Sequence, residues 1–199
     1  IHDTSLERTT NGTGLLAEST LEAISGLDAG SWFDRSFSGE VVPTLEETID
    51  LLEVLGLGAD IELKPDPGRE VETAHIALAV AQECWPSDMQ PPVITSFSRV
   101  ALAAAKEAMP EWPRGLCFDL LPDDWTEAIE TLGATMACPN AARLTGDQAA
   151  SLVAAGLDVM AWTVNDGDQA NRLLQWGVNS LCTDVPQELR SALAKRDLV

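Results

Sequence analysis

Basic residues and long apolar runs are both scarce in this sequence. Its 199 residues contain 12 Lys and Arg against 32 Asp and Glu, which gives a formal net charge of −20. A nucleic-acid-binding protein needs a basic face. The longest basic cluster here is the Lys195-Arg196 pair, so we expect no nucleic-acid partner. No stretch reaches the about 18 consecutive apolar residues of a membrane span, and an acidic surface is repelled by anionic lipid headgroups, so we expect no stable membrane association.

Closely spaced cysteines and a targeting segment are missing as well. The cysteines are Cys84, Cys117, Cys138 and Cys182, and a disulfide framework or a zinc site would need closer or paired spacing. The last three lie in apolar, strand-like runs, where cysteine usually acts as a small buried hydrophobe. This cysteine pattern predicts a reducing, cytoplasmic setting. The chain opens at Ile1-His2-Asp3, with neither Met nor a recognisable signal peptide.

The sequence does contain enough apolar material for one domain. Hydrophobic residues make up 45% of the chain, which excludes disorder despite the net charge, and we predict a single domain over residues 1–199. From residue 58 onward, short apolar runs alternate with segments of helical periodicity. The apolar runs predict strands at residues 59–63, 93–95, 115–121, 134–137, 157–164 and 179–183. The periodic segments predict helices at residues 71–84, 98–108, 126–132, 145–155 and 168–175.

This alternation determines the predicted fold class, which is α/β. Alternating strands and helices require parallel strands joined by right-handed crossovers. A doubly wound sheet would usually carry a GxGxxG-type turn after a strand, and the sequence has none. The six countable strand–helix units therefore favour a (β/α) barrel, with the doubly wound sheet as the alternative.

The first 57 residues follow a different pattern. Residues 4–14 are dense in Thr, Asn, Gly and Ser, which is typical of a loop. Residues 31–39 predict another loop, which carries Trp32, Phe33 and Phe37. Residues 21–27 predict a short helix. Thr44 predicts the N-cap of a longer helix, which ends at Gly56.

Two charged residues on the first predicted strand are the clearest functional signal. Glu62 and Lys64 share one face of that strand, while Ile61 and Leu63 share the other. The apolar face has to contact the surrounding helices, which turns the two charged residues toward the barrel axis. Charges in that place are costly unless they pair, bind a metal or bind a substrate. We interpret them as functional, with a simple Glu62–Lys64 ion pair as the alternative.

The chain has two histidines, which limits the candidates for acid–base work by an imidazole. His75 lies in a predicted amphipathic helix and fits an ordinary surface or packing residue. His2 precedes a polar, glycine-containing loop and is better placed for a site. Trp162 lies near a strand end, where the functional groups of such barrels are found, and it fits either a ligand wall or core packing.

Several motifs together resemble one known family. Residues 1–14 read IHDTSLERTTNGTG, which closely resembles the HDxxLxRTTxGxG segment of glycerophosphodiester phosphodiesterases, particularly their bacterial, cytoplasmic members. The resemblance covers essentially the whole chain. Further matches follow in the family's order: Pro43-Thr44-Leu45-Glu46-Glu47, Ile61-Glu62-Leu63-Lys64, Ser96-Phe97, Trp162-Thr163-Val164-Asn165, Gly177-Val178 and Thr183-Asp184-Val185-Pro186.

The resemblance implies a TIM (β/α)₈ barrel that hydrolyses glycerophosphodiesters to an alcohol and sn-glycerol 3-phosphate. It implies a divalent metal, Mg²⁺ or Ca²⁺, with His2 as a catalytic histidine and Glu62 as a metal ligand. Lys64 would face the phosphate and Trp162 would line the glycerol end of the pocket. Arg8 fits either a substrate anchor or loop packing. A chain of net charge −20 cannot attract an anionic diester by its overall charge, which is a physical reason to expect a metal.

The sequence departs from the family pattern at its start. Family members carry an HR motif on the first barrel strand and an ExD motif on the second, both upstream of the HD motif, and neither occurs here. We therefore expect the visible strands to be strands 3–8, together with the HD-loop insertion. The partner histidine and two metal ligands would be missing, so we expect residues 1–199 alone to be inactive.

Two other functions remain open at this point. One is a phospholipase D-like phosphodiesterase that acts on lysophospholipids, for which the loop with Trp32, Phe33 and Phe37 would supply an apolar rim. The other is a non-catalytic member that binds phosphate esters. The headgroup preference, the native metal and the oligomeric state are left open by the sequence.

Overall fold

The structure is a computed structural model that describes residues 1–194, so the Lys195-Arg196 pair lies outside the described residues. Contacts divide the described chain into two compact units. The first unit comprises Ile1–Leu57, Asp66–Arg69 and Ala79–Met89, and the sheet unit comprises Gly58–Pro65, Glu70–Leu78 and Gln90–Val199. The single domain expected over residues 1–199 stays a prediction.

The sheet unit is built on one parallel β-sheet. Within residues 1–194 it has six strands, and every neighbouring pair is parallel. The predicted strands are therefore confirmed, with ends shifted by a few residues. They are β1 (Asp60–Glu62), β2 (Val93–Ser96), β3 (Arg114–Phe118), β4 (Met136–Pro139), β5 (Asp158–Ala161) and β6 (Ser180–Leu181).

The order of the strands distinguishes the two predicted α/β arrangements. Across the described sheet the strands follow one another in sequence order, from β1 to β6. A doubly wound sheet instead reverses its strand order at a switch point, where its ligand binds. The sequential order is that of a (β/α) barrel wall, in which each strand lies beside its successor.

The predicted helices are present in both units, each within a few residues of its predicted bounds. Short helix α1 ends at Ser25, two residues before the predicted end, because Gly26 follows as its C-cap. No helix among residues 1–194 has the length and apolarity that a membrane span would need. The helices are α1 (Leu21–Ser25), α2 (Leu45–Leu55), α3 (Glu70–Cys84), α4 (Arg99–Ala108), α5 (Trp125–Leu132), α6 (Gly146–Ala154), α7 (Gly167–Gln175) and α8 (Pro186–Ala194).

Local sequence explains why α2 begins and ends where it does. The Thr44 hydroxyl accepts a hydrogen bond from the Glu47 backbone N–H (3.2 Å), and the Glu47 carboxylate accepts one from the Thr44 N–H (2.9 Å). This reciprocal pair satisfies two N–H groups that the first helical turn leaves unpaired. At the other end Gly56 takes the left-handed conformation (φ 62°), which glycine adopts without steric cost.

The hydrophobic core of the sheet unit lies on the helix side of the sheet. Alternate strand residues point to this side, and one residue of most strands or strand ends there is at most 2% exposed. The intervening residues, among them Asp60, Glu62 and Thr95, therefore point to the opposite face, as the alternation in the first strand predicts. The core residues contributed by the sheet and its strand ends include Leu63, Ile94, Leu116, Ala137 and Val159.

The cysteines only partly follow the sequence prediction. Cys117 and Cys138 are buried, as expected for small hydrophobes in strands. The prediction was wrong for Cys182, which is exposed. Cys182 follows β6 at the edge of the described sheet. It alternates with Leu181, which is partly buried and packs against the core, so the Cys182 side chain points away from the helices. His75 lies exposed on α3, as predicted for an ordinary surface residue.

Candidate functional site

The segment that carries His2 is a closed loop in the first unit. An antiparallel bridge joins Ser5 to Leu15, and the Leu6 N–H donates to the Gly14 carbonyl at 3.0 Å. Leu6 is 4% exposed and anchors the loop. The Glu7 carboxylate accepts the Gly14 N–H at 2.8 Å. These bonds fix residues 4–15 and so determine where the neighbouring side chains point.

Three charged or titratable side chains meet at one end of this loop. His2 Nδ1 lies 2.8 Å from Asp3 Oδ1. Arg8 donates from Nε to Asp3 Oδ2 at 2.5 Å and from Nη2 to Asp3 Oδ1 at 2.8 Å. The Asp3 side chain is 28% exposed, whereas those of His2 and Arg8 are 71% and 54% exposed. Asp3 is thus the less exposed centre of the cluster, with two partners around it.

The charges in this cluster reinforce one another. The Arg8 guanidinium, and after it the His2 ring, hold the pKa of Asp3 well below its usual range. In return, the hydrogen bonds to Asp3 raise the pKa of Arg8. An ionised carboxylate can only accept a hydrogen bond, so His2 Nδ1 carries the proton of the bond. In the neutral imidazole, Nε2 therefore carries the lone pair that can accept a proton.

An exposed aromatic cluster lies beside Arg8 in the same unit. The Arg8 guanidinium carbon is 6.0 Å from the centroid of the Trp32 ring, within cation–π range. Trp32 contacts Phe33 edge-on at 5.8 Å, and Phe33 contacts Phe37 at 5.7 Å. The three side chains are 51%, 72% and 46% exposed. We call Trp32, Phe33 and Phe37 the aromatic cluster.

A single carboxylate organises the loop that carries this aromatic cluster. Asp28 accepts hydrogen bonds from the backbone N–H groups of Gly30, Ser31 and Gly39 at 2.8–3.0 Å, and from the Ser31 hydroxyl at 2.7 Å. The Ser31 N–H, the Ser31 hydroxyl and the Gly39 N–H hold the pKa of Asp28 well below its usual range. The loop is therefore fixed by an ionised side chain at its base.

In the sheet unit, β1 presents Glu62 at its carboxyl end. Ile61 and Leu63 pack into the core on one side, which leaves Glu62 exposed on the other. Asp60 shares that face and accepts a hydrogen bond from the Thr95 hydroxyl at 2.7 Å. Loss of hydration raises the pKa of Asp60, the Thr95 hydrogen bond opposes this, and the Glu62 charge adds to it. Lys64 is exposed immediately after Leu63.

Trp162 lies just beyond the carboxyl end of β5 and is half-buried. Its indole N–H donates to the Cys138 carbonyl at 2.8 Å. Phe97, which follows β2, meets it edge-to-face with ring centroids 5.4 Å apart. The hydrogen bond and the ring contact hold the indole at the strand ends, where a (β/α) barrel binds its ligands.

Two separate motifs of the sequence meet at the ends of β5 and β6. The Asn165 amide N–H donates to an Asp184 carboxylate oxygen at 2.8 Å. The Asn165 side-chain oxygen accepts from the Thr183 hydroxyl at 3.0 Å and from the Asp184 N–H at 2.9 Å. Asn165 therefore joins the WTVN and TDVP segments, and a structural role accounts for its place in the pattern.

A divalent metal needs several converging ligands. Residues 1–194 supply only part of such a ligand set. No group of three or more His, Cys, Asp or Glu side chains in that range is arranged to hold a metal ion. Glu62 is an exposed oxygen donor of the kind that Mg²⁺ and Ca²⁺ prefer. It therefore fits as one ligand, and the described residues do not complete a ligand set.

The candidate residues fall into two groups. His2 and Arg8 are brought together by Asp3 within the first unit, and Glu62, Lys64 and Trp162 belong to the sheet unit. The sequence prediction gave no role to Asp3, although its position next to His2 was a usable signal. It also assigned no partner to Asn165, because nothing in the sequence shows that its side chain meets Asp184.

Comparisons of the sequence with known proteins all point to one family. The sequence profile of the glycerophosphoryl diester phosphodiesterase family matches residues 1–188. A glycerophosphodiester phosphodiesterase of Bacillus subtilis is 32% identical over 204 residues, covering 94% of this chain and 68% of the relative. One from Caldanaerobacter subterraneus is 29% identical over 200 residues, covering 98% and 79%.

Solved structures agree with the sequence comparison. A phosphodiesterase of Oleispira antarctica, solved in complex with the product sn-glycerol-3-phosphate, superposes with a TM-score of 0.94 at 36% identity. The match covers 98% of this chain and 78% of that one. An Agrobacterium tumefaciens glycerophosphodiester phosphodiesterase superposes with a TM-score of 0.72 at 25% identity, covering 96% and 79%. The chain belongs to the glycerophosphoryl diester phosphodiesterase family of enzymes, whose fold is the TIM barrel.

Proposed function

We propose that the protein hydrolyses glycerophosphodiesters to an alcohol and sn-glycerol 3-phosphate, with His2 as a general acid–base group. The observation that carries the proposal is the His2–Asp3 hydrogen bond in the segment that matches the family motif. Support comes from the relatives named for this activity and from the Oleispira antarctica structure with its product. Strands β1–β6 would occupy the positions of strands 3–8 of the family barrel.

His2 would move a proton at an oxygen of the phosphodiester. Water attacks phosphorus, the bond from phosphorus to the alcohol oxygen breaks, and the departing alkoxide has to gain a proton. A neutral imidazole with its lone pair on Nε2 can accept a proton from the water, and the imidazolium can donate one to the alkoxide. Asp3, which holds Nδ1–H, stabilises the imidazolium during this exchange.

Residues of the sheet unit would bind the substrate. Lys64 would offset the negative charge of the phosphate, and Trp162 would give the glycerol end an apolar wall. Glu62 would be one ligand of a divalent metal, Mg²⁺ or Ca²⁺. Such an ion, when bound, polarises phosphoryl oxygens and lowers the local negative charge. The cytoplasmic location and the absence of stable membrane association stay predictions.

The test is hydrolysis of glycerophosphocholine by the natural full-length protein and its His2→Asn variant. We expect the variant to lose about 100-fold or more in kcat, because proton transfer by a placed side chain contributes about that much. His75→Asn is the matched control and should leave kcat unchanged, since His75 lies exposed on α3. Equal rates for His2→Asn and the wild type would contradict the proposal. Binding of sn-glycerol 3-phosphate without any turnover would instead identify a non-catalytic phosphate-ester-binding member.

A second candidate is a phosphodiesterase that acts on lysophospholipids, and the exposed aromatic cluster favours it. Phe33 is 72% exposed, and transfer of so large an apolar surface from water to an acyl chain is favourable. This candidate predicts that Phe33→Ser lowers kcat/KM for lysophosphatidylcholine and leaves that for glycerophosphocholine unchanged. Leu21→Ser is the control, since Leu21 is an apolar side chain of similar exposure (68%) in the same unit and is not part of the aromatic cluster. Equal effects of Phe33→Ser on both substrates would exclude the candidate.

A further inference from the structure

Arg8 is the charged residue whose contacts fit least well with substrate anchoring. Its guanidinium is committed to Asp3 through two hydrogen bonds. One flank of the same group stacks over the Trp32 ring at 6.0 Å. A guanidinium binds a phosphate best through the same planar fork of N–H donors. Because Asp3 occupies that fork, the group that would clamp a phosphate is already used.

We propose that Arg8 is a positioning residue that acts on His2 through Asp3, rather than a substrate anchor. The proposal rests on the proposed role of His2 as the acid–base group. Arg8 fixes both carboxylate oxygens of Asp3, and Asp3 in turn fixes Nδ1 of His2. The direction and the tautomer of the His2 ring are thus determined by a side chain six residues along the chain.

Two observations make this arrangement more than a surface ion pair. An ion pair between two flexible, exposed side chains would contribute little stabilisation, because holding both side chains in one geometry costs conformational entropy. Here Asp3 is 28% exposed and therefore partly held in place. Arg8 is fixed at its other side by Trp32, whose own indole N–H donates to the Ala29 carbonyl at 2.9 Å. The connection from Trp32 through Arg8 and Asp3 to His2 is continuous and lies entirely within the first unit.

Proper orientation of His2 should appear in kcat and not in KM. A substrate anchor binds ground state and transition state alike, so its loss raises KM. A positioning residue acts only on the geometry of proton transfer, so its loss lowers kcat with little change in KM. Misplacement of a catalytic group by about 1 Å costs about 100-fold in rate, which sets the scale of the effect.

The experiment measures kcat, KM and the tautomer of His2 in the Arg8→Gln and Arg8→Lys variants of the natural full-length protein. The tautomer is read from the ¹⁵N chemical shifts of the His2 imidazole in the unliganded protein, with a His75→Asn sample to identify the signals of the other histidine among residues 1–199. We expect Arg8→Gln to lower kcat about 10-fold to 100-fold at unchanged KM. It should also reduce the fraction of neutral His2 that carries the proton on Nδ1. Arg8→Lys keeps the charge but loses the two-point contact, and it should restore part of each effect.

Arg35→Gln is the matched control, because Arg35 lies exposed in the first unit and is placed outside the His2 cluster. A higher KM for Arg8→Gln at constant kcat and constant tautomer would overturn the proposal in favour of a substrate anchor. No change in kcat, KM or tautomer would overturn it in favour of loop packing. If Arg8→Gln does not fold, Arg8→Lys alone provides the same readouts. The tautomer measurement does not require turnover, so it separates failure of this proposal from failure of the proposed role of His2.

Discussion

At the scale of single residues, Glu62 is the side chain with the sharpest expected effect. It ends β1 on the face opposite the core, where its carboxylate is exposed and the neighbouring Asp60 is bonded to Thr95. We expect Glu62→Gln to lower the affinity for Mg²⁺ or Ca²⁺ and the hydrolytic activity each by at least about 100-fold, since loss of a mere supporting group costs about 10-fold to 100-fold. Titration calorimetry and activity measurements at several metal concentrations check this.

The control for Glu62 is a carboxylate of the same charge on a helix of the first unit. Glu46→Gln removes one negative charge in the first turn of α2, where the residue is exposed. It should leave metal affinity and rate within about twofold, because exposed charges are well screened by salt. Equal metal affinity in Glu62→Gln and in the wild type would show that Glu62 is not a ligand. In that case its ion pair with Lys64, the alternative interpretation, would have to be tested.

The sequence predicted the direction of a side chain correctly where the residue lies in a strand. The prediction was incomplete where the residue lies in a loop. The faces of Glu62 and Ile61 follow from the two-residue period of a strand, and the structure has them as predicted. The partners of Asp3 and Arg8 depend instead on how residues 4–15 close, which involves the bridge between Ser5 and Leu15. No periodicity encodes such a closure, so the cluster could not be predicted side chain by side chain.

At the scale of secondary-structure elements, Arg114 connects the ends of two helices to β3. This side chain is 6% exposed, and loss of hydration lowers its pKa. A buried charge of this kind is tolerated because its donors are satisfied by oxygen atoms. Its guanidinium donates to the carbonyls that follow α4 and end α5, which belong to Met109, Pro110, Trp112, Leu132 and Gly133, at 2.7–3.2 Å.

Removing this guanidinium should destabilise the sheet unit. Arg114→Met leaves buried carbonyls at the α5 end without a donor, so we expect a loss of about 2–4 kcal/mol in the free energy of unfolding. Chemical denaturation followed by circular dichroism measures it. Arg99→Met is the matched control, because Arg99 pairs with Asp124 while 43% exposed, and an exposed pair contributes about 1 kcal/mol or less. Similar losses in both variants would contradict this account of Arg114.

The loop that carries the aromatic cluster should depend on the charge of Asp28. Asp28→Asn replaces a carboxylate that accepts the Gly30, Ser31 and Gly39 N–H groups. We expect faster hydrogen exchange at Ser31 and Gly39 and unchanged exchange in α2. Asp50→Asn, an exposed change in α2, should leave the loop unaffected.

The pH dependence of this loop follows from the lowered pKa of Asp28. A carboxyl whose pKa is lower in the folded state contributes stability above its unfolded value, ordinarily 3.8. That contribution is lost as the pH falls through the folded value. The difference in exchange between wild type and Asp28→Asn should therefore be constant at neutral pH and shrink only below 3.8. A difference that disappears near pH 6 would contradict the assignment to Asp28.

Element types were predictable because long periodic segments dominate the sheet unit, whereas their exact ends depend on caps. The capping pair at Thr44 is readable in the sequence, and α2 begins at the next residue. The apolar run at residues 115–121 extends beyond β3. The strand ends at Phe118, because the chain leaves the hydrogen-bonded sheet there to reach Trp125 at the start of α5. Pairing in the sheet, which the run itself does not encode, decides that end.

At the scale of the whole molecule, net charge and fold class have separate consequences. The parallel sheet follows from the alternation of strands and helices, whatever the surface charge. The charge of −20 acts instead on what approaches the protein, because a strongly charged molecule repels ligands of the same sign over the Debye length. An anionic diester that approaches this protein would therefore meet an opposing electrostatic field. Lys64 and a bound cation would have to overcome that field locally.

This opposing field leads to a prediction about ionic strength. For glycerophosphoglycerol, which carries a net negative charge, we expect kcat/KM to rise by about twofold to tenfold between roughly 0.01 and 0.15 M salt, because salt screens the repulsion. Glycerophosphocholine is zwitterionic and serves as the matched control, since its net charge is zero and its rate should change little. The divalent metal is kept saturating throughout, so that weaker metal binding at high salt does not enter the comparison. Stopped assays of alcohol release at each salt concentration give both values. A fall in kcat/KM for glycerophosphoglycerol as salt rises would show that a local positive field, and not the charge of −20, governs substrate approach.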